Sequence, residues 1–370
     1  MSVPVRSASL RSKFRGCIVG GVVGDCMGSR FDGDMETFAM VSSRTEPSSL
    51  RNQIPRNGGR FLFPYSVDSL MLLRSSNLLA EKHRDFFDAS SMDVIRQSVH
   101  EDLRMAILDG SDTNSPAVKW GFGTRQALEA GPNTVKFRSN CGVISSIPAG
   151  LINPSWAASI CSATHSHLSA TSAATVVAEA INMGLKETCM PSSVPPQFAP
   201  ALSLATSPLD EFSTHVQSKF SARFGADASA ACATAGALFS IQRTLTTLPD
   251  LDTSAPEYMS EINQILSTQQ KPRKITSNLL GNSNRLDSEK LFASLTPTIE
   301  EDLPVALAIN WAISLGGDSR SVACITGSIA GALWGEEGIP TEWLMFCQGV
   351  DEARIIADHL YDITHTGNNS

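Results

Sequence analysis

Dense runs of lysine and arginine are missing from this 370-residue chain, whose 29 basic side chains are outnumbered by 37 acidic ones for a formal charge of -8. Nucleic acid is therefore not expected as a general partner, because its binding rests on clustered positive charge. Long apolar runs are missing too. No segment reaches the roughly 20 residues needed to cross a bilayer, so no membrane association is expected. Arg6, Arg11, Lys13 and Arg15 precede an apolar run from Cys17 to Val23 and imitate a signal peptide, but Asp25 cuts that run short. The segment reads as a helix of the mature fold. The 8 cysteines include no Cys-x-x-Cys pair, and most, such as Cys232 and Cys324, stand in apolar helical surroundings. Buried reduced thiols in a cytoplasmic protein are expected, with disulfides the minor alternative. Sustained alternation bounded by hairpin turns is scarce, and no repeat of fixed period occurs.

What is present is helical. Hydrophobic residues make up 42% and charged ones 18% of the chain, enough for a sizeable core in one large domain or two ordinary ones. Amphipathic spacing predicts helices over Asp93 to Leu108, Lys119 to Ala130, Pro154 to Thr164, Ala170 to Lys186, Ser213 to Phe224, Asp227 to Leu245 and Pro256 to Leu266. Another begins near Leu70, with Ser66 as its N-cap. Loops are expected over Val41 to Gly59, around the proline-rich Met190 to Pro208, and over the polar Ser267 to Lys290. No compositional break separates two halves, so one domain with long loops is the reading.

Two helices stand out. Within Leu10 to Gly28, Gly16, Gly20, Gly24 and Gly28 recur every fourth residue among Ile18, Val19, Val22 and Val23. Glycine costs about 1 kcal/mol per helix position relative to alanine, so close packing must compensate. Near the other end, Gly316 and Gly317 form a turn, and Asp318 or Ser319 is placed to cap the helix that follows. That helix carries Ala323, Gly327 and Gly331 on its own small-residue stripe, so the two are expected to pack together. Asp25 reads as a cap or a solvated turn residue.

The run from Phe14 to Ser29, the pair Thr164-His165, and Leu315-Gly-Gly-Asp-Ser-Arg-Ser with its Ala/Gly-rich helix together resemble the ADP-ribosylglycohydrolase family. The resemblance runs from Phe14 to about Leu360. It implies an all-α fold, a single-domain orthogonal helical bundle over 13–362, with tails at 1–12 and 363–370. It also implies a cleft in which two magnesium ions orient the distal ribose of an ADP-ribosyl group for hydrolysis. Hard Mg2+ prefers oxygen ligands, and two ions about 3.5 to 4 Å apart position substrate and activate water.

The family supplies those oxygens from a Thr-Asp-Asp-Thr run and an Asp-x-Asp-Thr run, and this chain departs from both. The first stands as Ser66, Val67, Asp68, Ser69 and the second as Asp318, Ser319, Arg320, Ser321. One carboxylate has become a valine and another a cation. The degenerate metal set is Ser66, Asp68, Asp318 and Ser321, expected to hold at most one weakly bound magnesium. Arg320 is expected to stand in for the missing ion by bridging Asp68 and Asp318, the alternative being that it turns outward and leaves one weakened magnesium site. A glutamate that follows an aromatic in the serine-linkage branch of the family corresponds to Asp32, the candidate catalytic base, with a shorter reach. The family's Gly-Asn-Gly substrate loop corresponds to Ser139-Asn140-Cys141-Gly142, and its histidine to His165. These give Asn140, Gly142 and His165 as the substrate-binding candidates. His165 and His167 lack further Cys/His spacing for zinc.

Eroded metal ligands on an intact scaffold look like the crystallins of jellyfish lenses that are similar to this family. The functional expectation is a structural lens protein with little or no hydrolase activity, stored in the cytoplasm. Two alternatives remain in view: an active magnesium-dependent hydrolase that removes ADP-ribose from modified side chains, and a pseudoenzyme that binds ADP-ribose. ADP-ribose is the small-molecule partner the resemblance implies, and self-association at high concentration is compatible with the composition.

Overall fold

The computed structural model describes residues 8–34, 36, 38–46, 50, 63–88, 92–109, 120–131, 136–186, 195–206, 214–247 and 303–365. The helix expected over Pro256 to Leu266, the polar stretch 267–290, and most of the loop from Pro47 to Gly59 lie outside them. Along the chain the helices are α1 (Leu10–Gly28), α2 (Phe38–Thr45), α3 (Val67–Asp88), α4 (Met92–Asp109), α5 (Phe122–Ala130), α6 (Cys141–Ser146), α7 (Ala149–Ile152) and α8 (Ala157–Ser162). There follow α9 (Leu168–Leu185), α10 (Ala199–Ala205), α11 (Thr214–Phe224), α12 (Ala230–Thr247), α13 (Pro304–Ser314), α14 (Ser319–Trp334), α15 (Thr341–Phe346) and α16 (Val350–His365). Among the described residues there is no strand, only isolated bridges between Phe63 and Cys347 and between Ser139 and Ser229. The fold is all-α, as expected.

α1 and α14 form the central pair, crossing antiparallel with almost no side chain between them. A Cβ added at Gly20 would lie 2.3 Å from the Gly327 carbonyl oxygen, and one at Gly24 would lie 2.1 Å from that of Ala323. Gly16 opposes Gly331 and Gly28 opposes Ser319 in the same register. The two small-residue stripes therefore meet face to face. The atoms in the way are backbone, which cannot swing aside as a side chain can.

Around this pair the core continues through α3, α9, α12, α13 and α16, with Phe14, Met27, Met71, Leu72, Leu79, Trp156, Phe239 and Trp343 fully buried. Lys13, almost fully buried, donates through Nζ to the Gly184 carbonyl at 3.1 Å, satisfying the C-terminal end of α9.

Two loop expectations are corrected. Residues 41–45 belong to α2, because Val41 and Thr45 are buried against α13: the Thr45 hydroxyl meets Asn310 Oδ1 at 2.9 Å, and Phe38 stacks on Trp311. Within the proline-rich connection, α10 forms with Pro200 in its first turn, where a missing N–H costs no helix hydrogen bond. The segment expected as one helix from Pro154 to Thr164 opens as a short 3-10 turn (Pro154–Trp156), in which Asn153 accepts from the Ser155 amide, before α8.

Candidate functional site

Three chain segments converge where α1 ends and α3 and α14 begin. α1 contributes Asp25, fully buried one turn before its end. Its carboxylate accepts four hydrogen bonds: from Ser66 through the amide at 2.8 Å and the hydroxyl at 2.7 Å, and from Ser69 through the amide at 3.1 Å and the hydroxyl at 2.6 Å. Asp25 therefore holds the N-terminal turn of α3 in place. Its reading as an ordinary cap or a solvated residue is corrected, since the glycine stripe places α1 too deep for Asp25 to reach water. Ser66 does cap α3, its hydroxyl accepting from the Asp68 amide at 3.2 Å.

The turn before α14 has Gly316 at φ 74° and Gly317 at φ 71°, a region that disfavours side chains. At Gly317 there is also no room, because a Cβ would sit 2.5 Å from the Ala226 carbonyl oxygen. Asp318 occupies the N-cap position, yet its carboxylate makes no cap bond and instead accepts from the side-chain amide of Asn140. The expected capping role is thus corrected: Asn140, almost fully buried, competes for that carboxylate. Asn140 is in turn fixed by its own amide on the Ala228 carbonyl at 3.1 Å.

Asp68 and Ser321 meet directly, with the Ser321 hydroxyl donating to Asp68 at 2.6 Å. Burial raises the Asp68 carboxyl well above its ordinary range, and the neighbouring charges of Asp25 and Asp318 raise it further. Arg320 lies on the same turn. Its guanidinium pairs with Asp32 at 2.9 Å, each side chain about one third exposed at 33%. The expected bridge from Arg320 to Asp68 and Asp318 is therefore corrected, because Ser321 and Asn140 already supply those carboxylates with donors. Asp32 is brought to Arg320 by the backbone: Gly33 donates to the Gly317 carbonyl at 2.9 Å, and the Ser319 hydroxyl donates to that of Phe31 at 3.3 Å. Burial works against the charge on Arg320, but Asp32 first, then Asp68, Asp318 and Asp25, outweigh it and strengthen the guanidinium's hold on its proton. Burial also raises Asp32, partly offset by Arg320.

His165 lies deeper. It is fully buried, its Nδ1 sits 2.8 Å from the Thr164 hydroxyl, and burial lowers its pKa to about 4. Gly142 packs against it so closely that a Cβ there would lie 2.9 Å from His165 Cβ. His167 is the N-cap of α9, accepting from the Ser169 amide at 3.1 Å. Ser66, Asp68, Asp318, Ser321, Asp32 and Asn140 thus share one cluster, while Gly142 and His165 form a buried contact of their own.

This donor set does not fit a pair of magnesium ions. Val67 offers only methyl groups and Arg320 a fixed positive charge, while Asp25, Asp32, Asp68 and Asp318 already accept from protein donors. Among the described residues, no three His, Cys, Asp or Glu side chains are grouped to hold a metal ion. No helix there is long and apolar enough to cross a membrane.

A helical bundle that gathers carboxylates at the mouths of α3 and α14 defines a class. The ADP-ribosylglycohydrolase family matches residues 6–369, and the chain belongs to it. It is 25% identical over 385 residues to the zebrafish (Danio rerio) ADP-ribosylhydrolase ARH3, an alignment that covers 97% of this chain and 92% of that one. A shorter stretch of 53 residues, 14% of each chain, is 40% identical to the cattle (Bos taurus) ADP-ribosylhydrolase ARH3. Among solved structures, an ADP-ribosylglycohydrolase-related protein complex superposes with a TM-score of 0.50 at 17% identity, covering 96% of this chain and 99% of that one.

Proposed function

We propose that this chain is a catalytically silent member of its family, used as a structural protein in the manner of the jellyfish-lens crystallins it resembles. The observation that carries the silence is the Arg320–Asp32 ion pair. The acid that would serve as general base is engaged by a guanidinium, and that guanidinium brings a permanent charge to the carboxylates a metal would need. A second cation beside it is opposed by direct repulsion, and the carboxylate that family members place at the Val67 position is gone. What remains of the cluster ties α1, α3 and α14 together. The structural role rests on the resemblance, on a scaffold whose glycines and core are intact, and on the net negative charge of the chain.

Calorimetric titration of Mg2+ and of ADP-ribose into the purified protein, with release assayed on an ADP-ribosylated serine peptide, tests this. No magnesium heat and no release is the expected result. The double variant V67D/R320D restores both carboxylates and is expected to gain a magnesium-dependent heat. Magnesium-dependent release by the unaltered chain would instead establish the hydrolase that its family membership equally allows. Binding of ADP-ribose without metal or turnover would make it a pseudoenzyme.

A further inference from the structure

We propose that Arg138 and His167, with Lys136 beside them, bind a small tetrahedral oxyanion of the phosphate class. The site uses none of the carboxylate cluster and stands independently of the proposed function. His167 Nδ1 accepts from the Ser169 amide at 3.1 Å, the bond that caps α9, and lies 2.8 Å from the Ser169 hydroxyl. An amide only donates, so Nδ1 carries a lone pair. A neutral imidazole has one ring proton, which is therefore on Nε2. Facing Nε2 at 3.2 Å is Nε of Arg138, which also only donates. Two N–H groups are thus brought together, and neither supplies the other with an acceptor. Protonating the ring gives no relief, because it would remove the lone pair that caps α9 and leave the Nε2 proton in place. An oxygen that accepts from both groups satisfies the arrangement.

Local charge selects an anion over a neutral acceptor. Arg96, Arg104 and Arg125 each pair with a carboxylate on their own helix, Asp93, Glu101 and Glu129 respectively. Among the described residues, neither Arg138 nor Lys136 has a carboxylate partner. Both are exposed, while Phe137 between them is half-buried against His165 and Gly123. Alternate residues of an extended run share a side, so the two cations stand together. The backbone beneath Arg138 is ordered: its carbonyl accepts from the Ala230 amide at 2.7 Å, and the Asn140 amide donates to the Ala228 carbonyl at 3.1 Å. Asp227, across the same backbone pairing, has turned to the Ser229 amide at 3.1 Å. A guanidinium forks onto two oxygens of one anion, and the His167 N–H adds a donor from another direction. A tetrahedral oxyanion offers acceptors in several directions, whereas a carboxylate offers them in one plane.

Inorganic phosphate is titrated into the full-length protein at constant ionic strength, followed by proton–nitrogen correlation spectra of the histidine rings. These spectra also report which ring nitrogen carries the proton. The expected result is an Nε2-protonated His167 in the free protein and a saturable phosphate-dependent shift of its ring signals, in the millimolar range for so exposed a site. Chloride at the same ionic strength should give no saturable shift. R138Q removes the charge and the facing donor, and should weaken phosphate binding about tenfold or more. H167S keeps a capping hydroxyl but lacks the ring N–H, and calorimetry should show weaker binding there too. Three results overturn the proposal: the His167 proton on Nδ1, no saturable shift with phosphate, or equal affinity in the parent and R138Q. The tautomer and the parent titration need only the unaltered chain, so a variant that fails to fold leaves the test intact.

Discussion

Replacing Asp25 with alanine strands four donors, two amides and two hydroxyls, at a fully buried position. Each unmade buried hydrogen bond costs about 1 to 3 kcal/mol, so urea unfolding of D25A should show a loss of at least about 3 kcal/mol. A second prediction concerns His165. Its folded pKa of about 4 lies below the ordinary 6.5, so the folded state disfavours the imidazolium. The resulting stability is fully present above about pH 6.5 and is lost as pH falls towards 4. Unfolding free energies of the parent and H165Q should therefore converge by about 2 to 3 kcal/mol between about pH 7.5 and pH 4.5. A constant gap would mean that His165 is not held neutral. The prominence of Asp25 was not legible in the sequence. Nothing in Gly24-Asp25-Cys26 distinguishes a solvated carboxylate from a buried one until its Ser66 and Ser69 partners, 41 and 44 residues on, are placed beside it.

Among the elements, the α1–α14 pair was the most legible, because glycine at every fourth position of a helix has few explanations besides a close neighbour. Substitution tests that contact. G20A places a methyl group 2.3 Å from a backbone oxygen, and thermal or urea unfolding should show about 3 kcal/mol of destabilisation. G123A in α5 meets first the Phe137 ring, at 3.2 Å, a side chain that can yield, and it gains helix propensity. Its net effect should stay within about 1 kcal/mol of zero. Helix ends were harder to place. Proline and serine around 41–59 and 190–208 obscured α2 and α10, whose stability comes from packing against α13 and α12 and not from any local signal. The partner of Arg320 was hidden for the same reason. Its charge could be read from the sequence, but Asp32 becomes its neighbour only through the Gly33–Gly317 and Ser319–Phe31 hydrogen bonds.

At the scale of the molecule, the helical fold and family membership were both visible in three separated motifs, whereas the state of the site depends on which donor each carboxylate finds. The contact that organises everything joins Gly16 to Gly331 and Gly20 to Gly327, near opposite ends of a 370-residue chain. On the ribosome, α1 emerges long before α14. Until α14 has followed, a glycine-rich apolar helix therefore lacks its main packing partner, and this non-local closure waits on the synthesis of all the chain between them. A nascent chain of this design depends on being shielded while it waits, so its yield in a cell reflects chaperone capacity as well as the stability of the finished bundle.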